Sequence, residues 1–477
     1  MSDKKPRYLT TTLPYVNSDP HIGFATEIVV ADALTRYWRL LGHEVFFNTG
    51  TDEHGQKIAE KADEQGQSRQ EYVDYYANEF KKLGEALDLS FDRFIRTTDS
   101  DHKAAAQSIW QKCLDNGDIY KKKYKGLYCV GDEMFLRDSD LVEGKCPNHP
   151  NMEPQVVEEE NYFFALSKYQ DYLKEYLSKP GVIEPEWRRQ EALNFVDGGL
   201  EDFSISRERA RLNWGIDVPN DANQVMYVWF DALTNYISTL GWPDDKDGNF
   251  RKFWEGGEVT QLAGKDQVRF QSIMWQAMLK SAGVKATDKV VYHGFITSGG
   301  QKMSKSLGNT LNPYDFVTRY GTEATRYLLL RHVHPFEDSD ITVERFDELY
   351  TAGLVNGLGN LVARVMKMSE DNAVGVVPAE ESYPDVIKTA MDGFQINEAL
   401  NYIWSRIQRV DQKITEEEPF KVIKTDVVMG KQMIREYVSE LHAVATALEP
   451  FMPKTSAIIL EAVKLNKKPE NLFSRLA

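Results

Sequence analysis

The chain is poor in cysteine, carries no long apolar run and has no excess of basic charge. Its 477 residues include three cysteines, which are too few for a disulfide framework. It contains no run of about 18 apolar residues, and its first residues form no apolar segment, so neither a membrane span nor an export signal is expected. With a formal net charge of -16 and a length sufficient for about three domains, we expect a cytoplasmic protein.

The acidic balance argues against a nucleic-acid partner, because backbone phosphates are bound mainly by lysine and arginine. Net charge governs solubility more than the geometry of a site, however, so local basic runs remain candidates for RNA contact. Residues 121–125 form one such run, and Lys464 with Lys467 and Lys468 forms another. A solvated surface is an equally good interpretation of both.

A strand followed by a helix near the start of the chain frames the first chemical motif. Residues 8–12 are mostly β-branched or aromatic, which predicts a strand, and apolar residues between positions 28 and 41 recur at helical spacing. Asp19 is the predicted cap of that helix, Pro20 suits its first position and Gly42 suits its end.

Two short motifs, Asp19-Pro20-His21-Ile22-Gly23-Phe24 and Lys302-Met303-Ser304-Lys305-Ser306, occur in this order. His21 falls at the predicted helix N-terminus, where free N–H groups favour a phosphate, and Gly23 lacks the Cβ that would keep a flat adenine off the backbone. Lys302 and Lys305 lie in a glycine-flanked loop that can close over a triphosphate. Each motif alone is also typical of a helix cap or a solvated loop, but the ordered pair predicts ATP chemistry at the α-phosphate.

The pair resembles the signature of the class I aminoacyl-tRNA synthetases, with Phe24 at the place of that family's second histidine. Further segments resemble the methionyl-tRNA synthetase family and run in its order through most of the chain. They are residues 12–15, 50–55 and 228–232, and Gly264-Lys265-Asp266 followed by Trp275. The resemblance implies that ATP activates L-methionine with release of pyrophosphate, and that methionine then passes to the 3'-terminal ribose of methionine tRNA.

The resemblance also implies which residues do this work. Catalysis falls to His21, Lys302 and Lys305, with Mg²⁺ accompanying the ATP phosphates. Aromatic walls suit a thioether, and Asp52 matches the anchor of the substrate α-ammonium. The implied ATP contacts are His21, Gly23, Gly264, Asp266, Ile296, Lys302, Ser304 and Lys305. The implied methionine contacts are Leu13, Tyr15, Asp52, Trp229, Ala232, Tyr236, Gln271 and Trp275.

Three positions depart from the family's pattern. Gln271 follows Arg269-Phe270 where the family usually has histidine, and Gln261 stands where another histidine is common. Glutamine still hydrogen-bonds through a carbonyl and an amide, but it carries no proton or charge, so we expect methionine selection to survive with altered pocket polarity. Phe24 removes an imidazole, and losing a donor to the transition state costs on the order of tenfold to a thousandfold in rate.

A candidate metal site consists of Cys129, Asp132, Cys146 and His149, in a Cys-x-x-Asp and Cys-x-x-His pair. Both halves keep the two-residue gap that one tetrahedral zinc ion requires, and a carboxylate is an acceptable zinc ligand. The resemblance places a cysteine at the position of Asp132, so weaker zinc retention is expected. The alternative is a knuckle that folds without metal.

The sequence predicts an α/β fold. A Rossmann-like nucleotide-binding domain is split by a connecting insertion that carries the zinc knuckle, and an α-helical bundle that binds the anticodon follows. The predicted segments are residues 1–117 and 225–300 for the two halves of the nucleotide-binding domain, 118–224 for the insertion, 301–345 for the Lys302 loop and a stem-contact region, and 346–477 for the helical domain. The family's dimerising extension has no counterpart here, so a monomer is expected.

Asn360 and Arg364 are four residues apart, which places them on one helix face where both could meet unstacked bases. Both match the family's anticodon-reading positions, and Phe420 stands where the family has a tryptophan. A phenylalanine ring still offers a stacking face, worth roughly 1–3 kcal/mol per base. The alternatives are a solvated helix face for the two polar residues and a core position for Phe420.

Two other functions remain open at this stage. A synthetase for a different amino acid is disfavoured by the set of Trp229, Tyr236 and Trp275. A catalytically silent tRNA-binding paralogue would explain Phe24, Gln261 and Gln271, but it would gain little from an intact Lys302-to-Ser306 motif.

Overall fold

The computed structural model describes residues 4–130, 134–136, 141–147, 150–303, 310–375 and 382–476 of the chain. Its residues cluster into two compact units. Unit 1 consists of Met1–Pro20, His43–Lys82 and Phe91–Tyr292. Unit 2 consists of His21–Gly42, Leu83–Ser90 and His293–Ala477. The predicted division of the sequence into five segments stays a prediction.

The described strands all precede residue 341. In chain order they are β1 (Arg7–Thr10), β2 (Val45–Thr51), β3 (Arg93–Arg96), β4 (Ile119–Cys129), β5 (Met134–Leu136), β6 (Gln155–Phe164), β7 (Ile183–Glu184), β8 (Phe203–Ser204), β9 (Ser206–Glu208), β10 (Asp217–Val218), β11 (Asp221–Met226), β12 (Glu258–Gly264), β13 (Lys289–His293), β14 (Ile296–Ser298), β15 (Gln301–Lys302) and β16 (Ser339–Asp340).

The described helices alternate with these strands and then continue alone. They are α1 (Ile22–Leu40), α2 (Gln56–Glu64), α3 (Arg69–Ala86), α4 (Ser100–Asp115), α5 (Gln170–Ser178), α6 (Glu186–Asp197), α7 (Val228–Leu233), α8 (Asn235–Ser238), α9 (Trp275–Ser281), α10 (Pro313–Tyr320), α11 (Thr322–His332), α12 (Val343–Tyr350), α13 (Asn360–Asp371), α14 (Asp385–Asp392), α15 (Ile396–Glu417), α16 (Pro419–Thr425), α17 (Val427–Leu448) and α18 (Pro453–Leu465). Stretches of π-helix occupy Phe250–Glu255, Phe270–Met274 and Thr351–Gly359, and 3₁₀ turns occupy Leu166–Tyr169 and Lys265–Gln267.

A six-stranded sheet of order β3-β2-β1-β12-β13-β7 forms the centre of unit 1. Strand β1 runs parallel to both β2 and β12, β2 runs parallel to β3, and β13 runs parallel to β7. Strands β2 and β12 are buried along nearly their whole length, which is typical of parallel strands covered on both faces. This Rossmann-type arrangement confirms the predicted α/β fold class.

The predicted insertion contributes sheets of its own. Antiparallel strands pair in the order β5-β4-β6-β8, and a smaller sheet has the order β10-β11-β9. Strand β7, which also lies within the insertion, joins the edge of the six-stranded sheet instead. Strand β7 was not predicted from the sequence, because its two residues are too few to show the alternation of apolar and polar residues by which strands are recognised.

Helix α1 in unit 2 is capped by His21. Its Nδ1 atom accepts hydrogen bonds from the backbone N–H groups of Gly23 at 3.1 Å and Phe24 at 3.4 Å. The prediction that Asp19 caps this helix is therefore wrong, because the backbone is still extended at His21 and the helix begins only after it. Gly42, with a φ of +84°, follows the end of the helix as predicted.

After β16, the part of the chain that the structure describes is helical, as predicted. Helix α15 buries residues at helical spacing, which is the signature of an amphipathic helix in a bundle. These residues are Ile396, Ala399, Leu400, Ile403, Trp404, Ile407, Val410 and Ile414. Among the described residues, no helix combines the length and the apolar composition that crossing a membrane requires.

A fully buried ion pair connects α1 to distant parts of unit 2. Arg326 of α11 lies 2.7 Å from Asp32 of α1, and neither side chain is exposed. Arg326 also donates to the carbonyl oxygens of Leu87, Pro450 and Phe451. Burial opposes the ionisation of Asp32, but the Arg326 guanidinium helps to hold the pKa of the carboxyl below its usual value. Both charges therefore have partners inside the unit.

The variant Asp32→Ala is expected to lower the free energy of unfolding by roughly 3–5 kcal/mol, because it leaves the Arg326 charge buried without its partner. Arg345→Ala is the control, since the Arg345–Glu348 pair has a similar distance of 2.8 Å but side chains that are 61% and 68% exposed. An exposed pair contributes about 0–1 kcal/mol. Urea unfolding followed by circular dichroism compares the two variants, and equal losses would contradict the assignment.

Candidate active site

The His21 side chain closes the N-terminus of α1 and keeps one ring nitrogen available. Because Nδ1 accepts two backbone N–H groups, the ring proton belongs on Nε2, which leaves Nε2–H as a donor for a ligand. A Cβ on Gly23 would lie 3.0 Å from both Cε1 and Nδ1 of His21. The absence of a Cβ at position 23 therefore leaves room for the imidazole over the start of the helix. This role of Gly23 differs from the one expected from the sequence, which was to admit an adenine close to the backbone. Phe24 is buried within unit 2.

The backbone of Lys302 is held in a β-hairpin of unit 2 formed by β14 and β15, in which it pairs with Thr297. Gly299 and Gly300 make the turn with φ values of +62° and +73°, a conformation that favours glycine. An oxygen of Asp340 accepts the N–H of Gly300 at 2.8 Å and the hydroxyl of Thr297 at 2.8 Å. Asp340 thus braces the turn that precedes the second motif.

Two ATP-contact predictions from the second motif, Ser304 and Lys305, lie outside the described residues. Ile296 is buried in β14 of unit 2. In unit 1, β12 ends at Gly264, which is buried, and the exposed Asp266 follows in a 3₁₀ turn. The ATP contacts of Ile296, Gly264 and Asp266 stay predictions, as do those of Ser304 and Lys305.

On the predicted methionine side, Asp52 lies just after β2, beside the segment that holds Tyr15. The two residues form a parallel β-bridge. The N–H of Asp52 donates to the carbonyl of Pro14 at 2.9 Å, and the N–H of Val16 donates to the carbonyl of Asp52 at 3.1 Å. Asp52 is buried, and Leu13 and Tyr15 are half-buried. The fold therefore brings these three predicted residues together.

The aromatic methionine-contact residues of unit 1 are connected by two ring contacts and a hydrogen bond. The Trp229 ring stacks on Phe270 with a centroid distance of 3.9 Å and an interplanar angle of 15°. Gln271, the neighbour of Phe270, donates its amide N–H to the hydroxyl of Tyr236. The Tyr236 ring in turn lies 5.8 Å from that of Trp275, which is fully buried. These residues form one aromatic chain of contacts from Trp229 to Trp275.

The two glutamines that depart from the family's pattern belong to one buried hydrogen-bond network. The amide of Gln276 donates to the backbone carbonyl of Gln271 at 2.8 Å and to the hydroxyl oxygen of Thr287 at 3.1 Å. The Thr287 hydroxyl then donates to the carbonyl oxygen of Gln261 at 2.9 Å. All four residues are buried. An uncharged network thus links two positions where the family commonly has histidine.

A second buried network in unit 1 was not predicted. Asp231 receives one imidazole on each carboxylate oxygen, His54 at 2.6 Å and His102 at 2.8 Å. The other ring nitrogen of His102 lies 2.9 Å from the hydroxyl of Ser238. His54 and Asp231 lie within the segments 50–55 and 228–232 that carry the resemblance, so their presence there was the signal that the sequence offered. His102 belongs to no such segment.

The candidate metal site can be described for its two cysteines. Cys129 and Cys146 are buried in one small cluster with Leu136, and neither forms a disulfide. Asp132 and His149 lie outside the described residues. Within the described residues no group of three or more histidine, cysteine, aspartate or glutamate side chains is arranged to hold a metal ion. Two buried thiols in one cluster are compatible with a zinc site, and the predicted ligand set stays a prediction.

The anticodon candidates lie on the helices of unit 2. Asn360 is exposed at the start of α13, and Arg364, one turn later, forms an ion pair with Asp411 of α15. The side chains of that pair are 34% and 45% exposed. Phe420, in the first turn of α16, is 42% exposed, so the alternative that it is a core residue is wrong. Its ring is available for stacking.

The basic runs have acidic partners in the structure. Lys121 lies 2.9 Å from Asp221, and Lys125 lies 3.8 Å from Glu158 on the neighbouring strand. Lys464 lies 3.3 Å from Glu461 on the same helix. These pairs offset the positive charge, which favours the interpretation of both runs as solvated surface.

Comparison with known proteins identifies the family. The model of the family "tRNA synthetases class I (M)" matches residues 7–154 and 149–366. A methionine–tRNA ligase of Caldanaerobacter subterraneus subsp. tengcongensis is 40% identical over 97% of this chain and 75% of its own length. That of Rhizobium meliloti is 39% identical over 97% of this chain and 92% of its own length.

A solved structure gives the same result. The methionyl-tRNA synthetase of Mycobacterium tuberculosis, determined in complex with methionyl-adenylate, matches with a TM-score of 0.89 and 34% identity over 99% of this chain and 98% of its own. The sequence relatives, the family model and the structural match all agree. The chain therefore belongs to the methionyl-tRNA synthetase family of class I aminoacyl-tRNA synthetases.

Proposed function

We propose that this chain is a methionine–tRNA ligase that works in two steps. In the first step, a carboxylate oxygen of L-methionine attacks the α-phosphate of ATP in line, and pyrophosphate leaves. In the second step, a hydroxyl of the 3'-terminal ribose of methionine tRNA attacks the acyl carbon, and AMP leaves. Neither step requires a nucleophile from the protein, so positioning and charge stabilisation supply the catalysis.

The observation that carries the choice of methionine is the aromatic chain from Trp229 to Trp275. In this chain the Trp229 ring stacks on Phe270 at 3.9 Å, Gln271 donates a hydrogen bond to Tyr236, and the Tyr236 ring lies 5.8 Å from that of Trp275. A polarisable thioether gains from contact with aromatic rings, and shape-matched walls are what an apolar pocket needs for discrimination. Asp52 supplies the charge-assisted contact to the α-ammonium group.

The phosphate side of the reaction uses the two signature motifs. His21 donates its Nε2–H to a phosphate oxygen, which its capping geometry supports because Nδ1 is already engaged as an acceptor. Lys302 and Lys305 add positive charge around the phosphates, and Mg²⁺ accompanying ATP would neutralise part of the developing charge. Gly23, Gly264, Asp266, Ile296 and Ser304 complete the ATP contacts.

The tRNA partner is read at the helical end of the chain. Asn360 and Arg364 contact the edges of unstacked anticodon bases, and Phe420 stacks on one of them. The half-exposed ion pair of Arg364 with Asp411 costs little to exchange for a base contact. A monomeric state and a cytoplasmic location remain predictions from the sequence.

A structural zinc ion is held by Cys129, Asp132, Cys146 and His149. The burial of both cysteines in one cluster supports this, and two thiolates, a carboxylate and an imidazole are all accepted zinc ligands. When bound, the ion would cross-link the knuckle; no step of the reaction passes through it.

ATP–pyrophosphate exchange, run separately with each of the twenty amino acids and without tRNA, tests the proposed function. We expect exchange with methionine alone, because the aromatic chain and Asp52 select a thioether amino acid. Folded protein that binds methionine tRNA but exchanges with no amino acid would instead be a silent tRNA-binding paralogue, and Phe24 would be the first residue to revert to histidine.

The variants Lys305→Ala and His21→Asn are expected to lower kcat for methionine activation by roughly tenfold to a thousandfold, with little change in methionine affinity, because each removes a transition-state contact. His21→Asn is preferred to alanine because asparagine can still cap α1 while lacking the imidazole Nε2–H. Steady-state exchange kinetics and methionine binding measured by tryptophan fluorescence give both quantities. Equal losses in rate and affinity would refute these roles.

Zinc content after extensive dialysis tests the metal site, and one zinc per chain is expected by elemental analysis. Cys129→Ser should lose the ion because a hydroxyl is a poor zinc ligand, whereas Cys113→Ser should retain it. Cys113 is the matched control because it is also buried but lies in α4, away from the knuckle. A folded, active wild-type protein without zinc would mean that the knuckle needs no metal.

A further inference from the structure

The Asp231 network occupies a fully buried position in unit 1. Asp231 is not exposed, and each of its carboxylate oxygens accepts a hydrogen bond from a different imidazole. His54 uses Nδ1 and His102 uses Nε2, while Nδ1 of His102 is bonded to the hydroxyl of Ser238. Four residues from separate parts of the sequence are therefore fixed by directional contacts.

The charge on this carboxylate is maintained despite its burial. Burial opposes ionisation, but the two imidazoles hold the pKa of Asp231 below its usual value. An ionised carboxylate only accepts hydrogen bonds, so each histidine must present an N–H to it. Hydrogen bonds to a charged group are short and strong, which fixes the distance and the angle between the segments that they join.

The network joins the segments that carry the proposed methionine contacts. His54 lies two residues after Asp52, and Asp231 lies between Trp229 and Ala232 on α7. On α8, Ser238 follows two residues after Tyr236. The Asp231 carboxylate therefore links the segment of Asp52, which is proposed to bind the ammonium group, to α7. Through His102 the same network extends to Ser238 on α8.

Other contacts hold the Asp52 segment to different parts of unit 1. The backbone of Asp52 is bonded to Pro14 and Val16, the N–H of Glu53 donates to the hydroxyl of Thr97, and its carbonyl accepts from the Trp214 indole. The His54–Asp231 bond is the contact in this series that reaches α7. Asn48 of β2 also bonds to Asn235 and Thr239, beyond the end of α7, so the His54–Asp231 bond adds the contact to α7 itself.

We propose that Asp231, held by His54 and His102, is a positioning residue that sets the spacing between Asp52 and the wall formed by Trp229 and Ala232. This inference rests on the proposed methionine activation and deepens it. Methionine spans that spacing with its α-ammonium at one end and its thioether at the other. Because a misplacement of about 1 Å can cost on the order of a hundredfold, the network governs methionine binding and its discrimination from shorter or longer side chains.

The first test is Asp231→Asn, which keeps the size of the side chain but turns one acceptor into a donor that faces an imidazole N–H. In ATP–pyrophosphate exchange we expect KM for methionine to rise at least tenfold, while KM for ATP changes less than twofold. The preference for methionine over norleucine and ethionine should fall as well. An unchanged methionine KM, or equal changes in both KM values, would overturn the proposal.

Asp118→Asn is the matched control for stability. Asp118 is also a buried carboxylate of unit 1, and it accepts hydrogen bonds from Ser281, Lys168 and Tyr169, none of which has a proposed substrate contact. It should lower the melting temperature without changing either KM. If Asp118→Asn raised the methionine KM as much as Asp231→Asn does, general destabilisation would explain the result and the proposal would be wrong.

A pair of variants at His54 decides the question even if Asp231→Asn does not fold. The amide nitrogen of His54→Asn replaces Nδ1–H as a donor, whereas His54→Leu has a similar size and no donor. We expect a methionine KM within threefold of wild type for His54→Asn and at least tenfold higher for His54→Leu. Equal KM values for the two variants would overturn the proposal, whereas wild-type protein without methionine-dependent exchange would overturn the proposed function itself.

Discussion

The ion pair between Asp32 and Arg326 fixes the helix on which the first chemical motif depends. Asp32 lies within α1, whose N-terminal cap is His21, and Arg326 lies within α11. Arg326 also bonds three backbone carbonyls from residues 87, 450 and 451, so four separate stretches of unit 2 meet at one guanidinium. The arrangement tolerates buried charge because every partner is present, and it gives α1 a defined position along its own axis.

Unit 1 applies the same principle with different chemistry. Unit 1 contains a charged network at Asp231 and an uncharged amide network from Gln261 to Gln271, and both include or adjoin residues that carry the proposed methionine contacts. Buried polar groups cost free energy unless their hydrogen-bonding capacity is used, so each network restricts its members to a narrow range of positions. These directional hydrogen bonds fix the positions of the residues next to the aromatic chain more closely than packing alone would.

The sequence predicted what depends on local pattern and on motif order. The strand at β1, the end of α1 at Gly42, the helical region after β16 and the α/β class all follow from periodicity, glycine placement and element order. The His21 cap was missed because an imidazole at that position is a rare cap, whereas aspartate is a common one. The Asp231 network was missed for a different reason: its hydrogen bonds span 129 and 177 residues, and no local pattern reports contacts at such separations.

The departures at Gln261 and Gln271 are understood from the hydrogen bonds that surround each glutamine in the structure. Read singly, each glutamine replaces a group that could carry a proton, and each therefore suggests a weakened site. In the structure the Gln261 side chain accepts from the Thr287 hydroxyl, and the Gln271 side chain donates to the Tyr236 hydroxyl. Both positions are buried, so a charged imidazole at either of them would face neutral groups. Because desolvation disfavours an unpaired charge, each of these buried positions favours a neutral side chain. A glutamine at each position is therefore compatible with the neutral surroundings of the aromatic chain that carries the proposed methionine contacts.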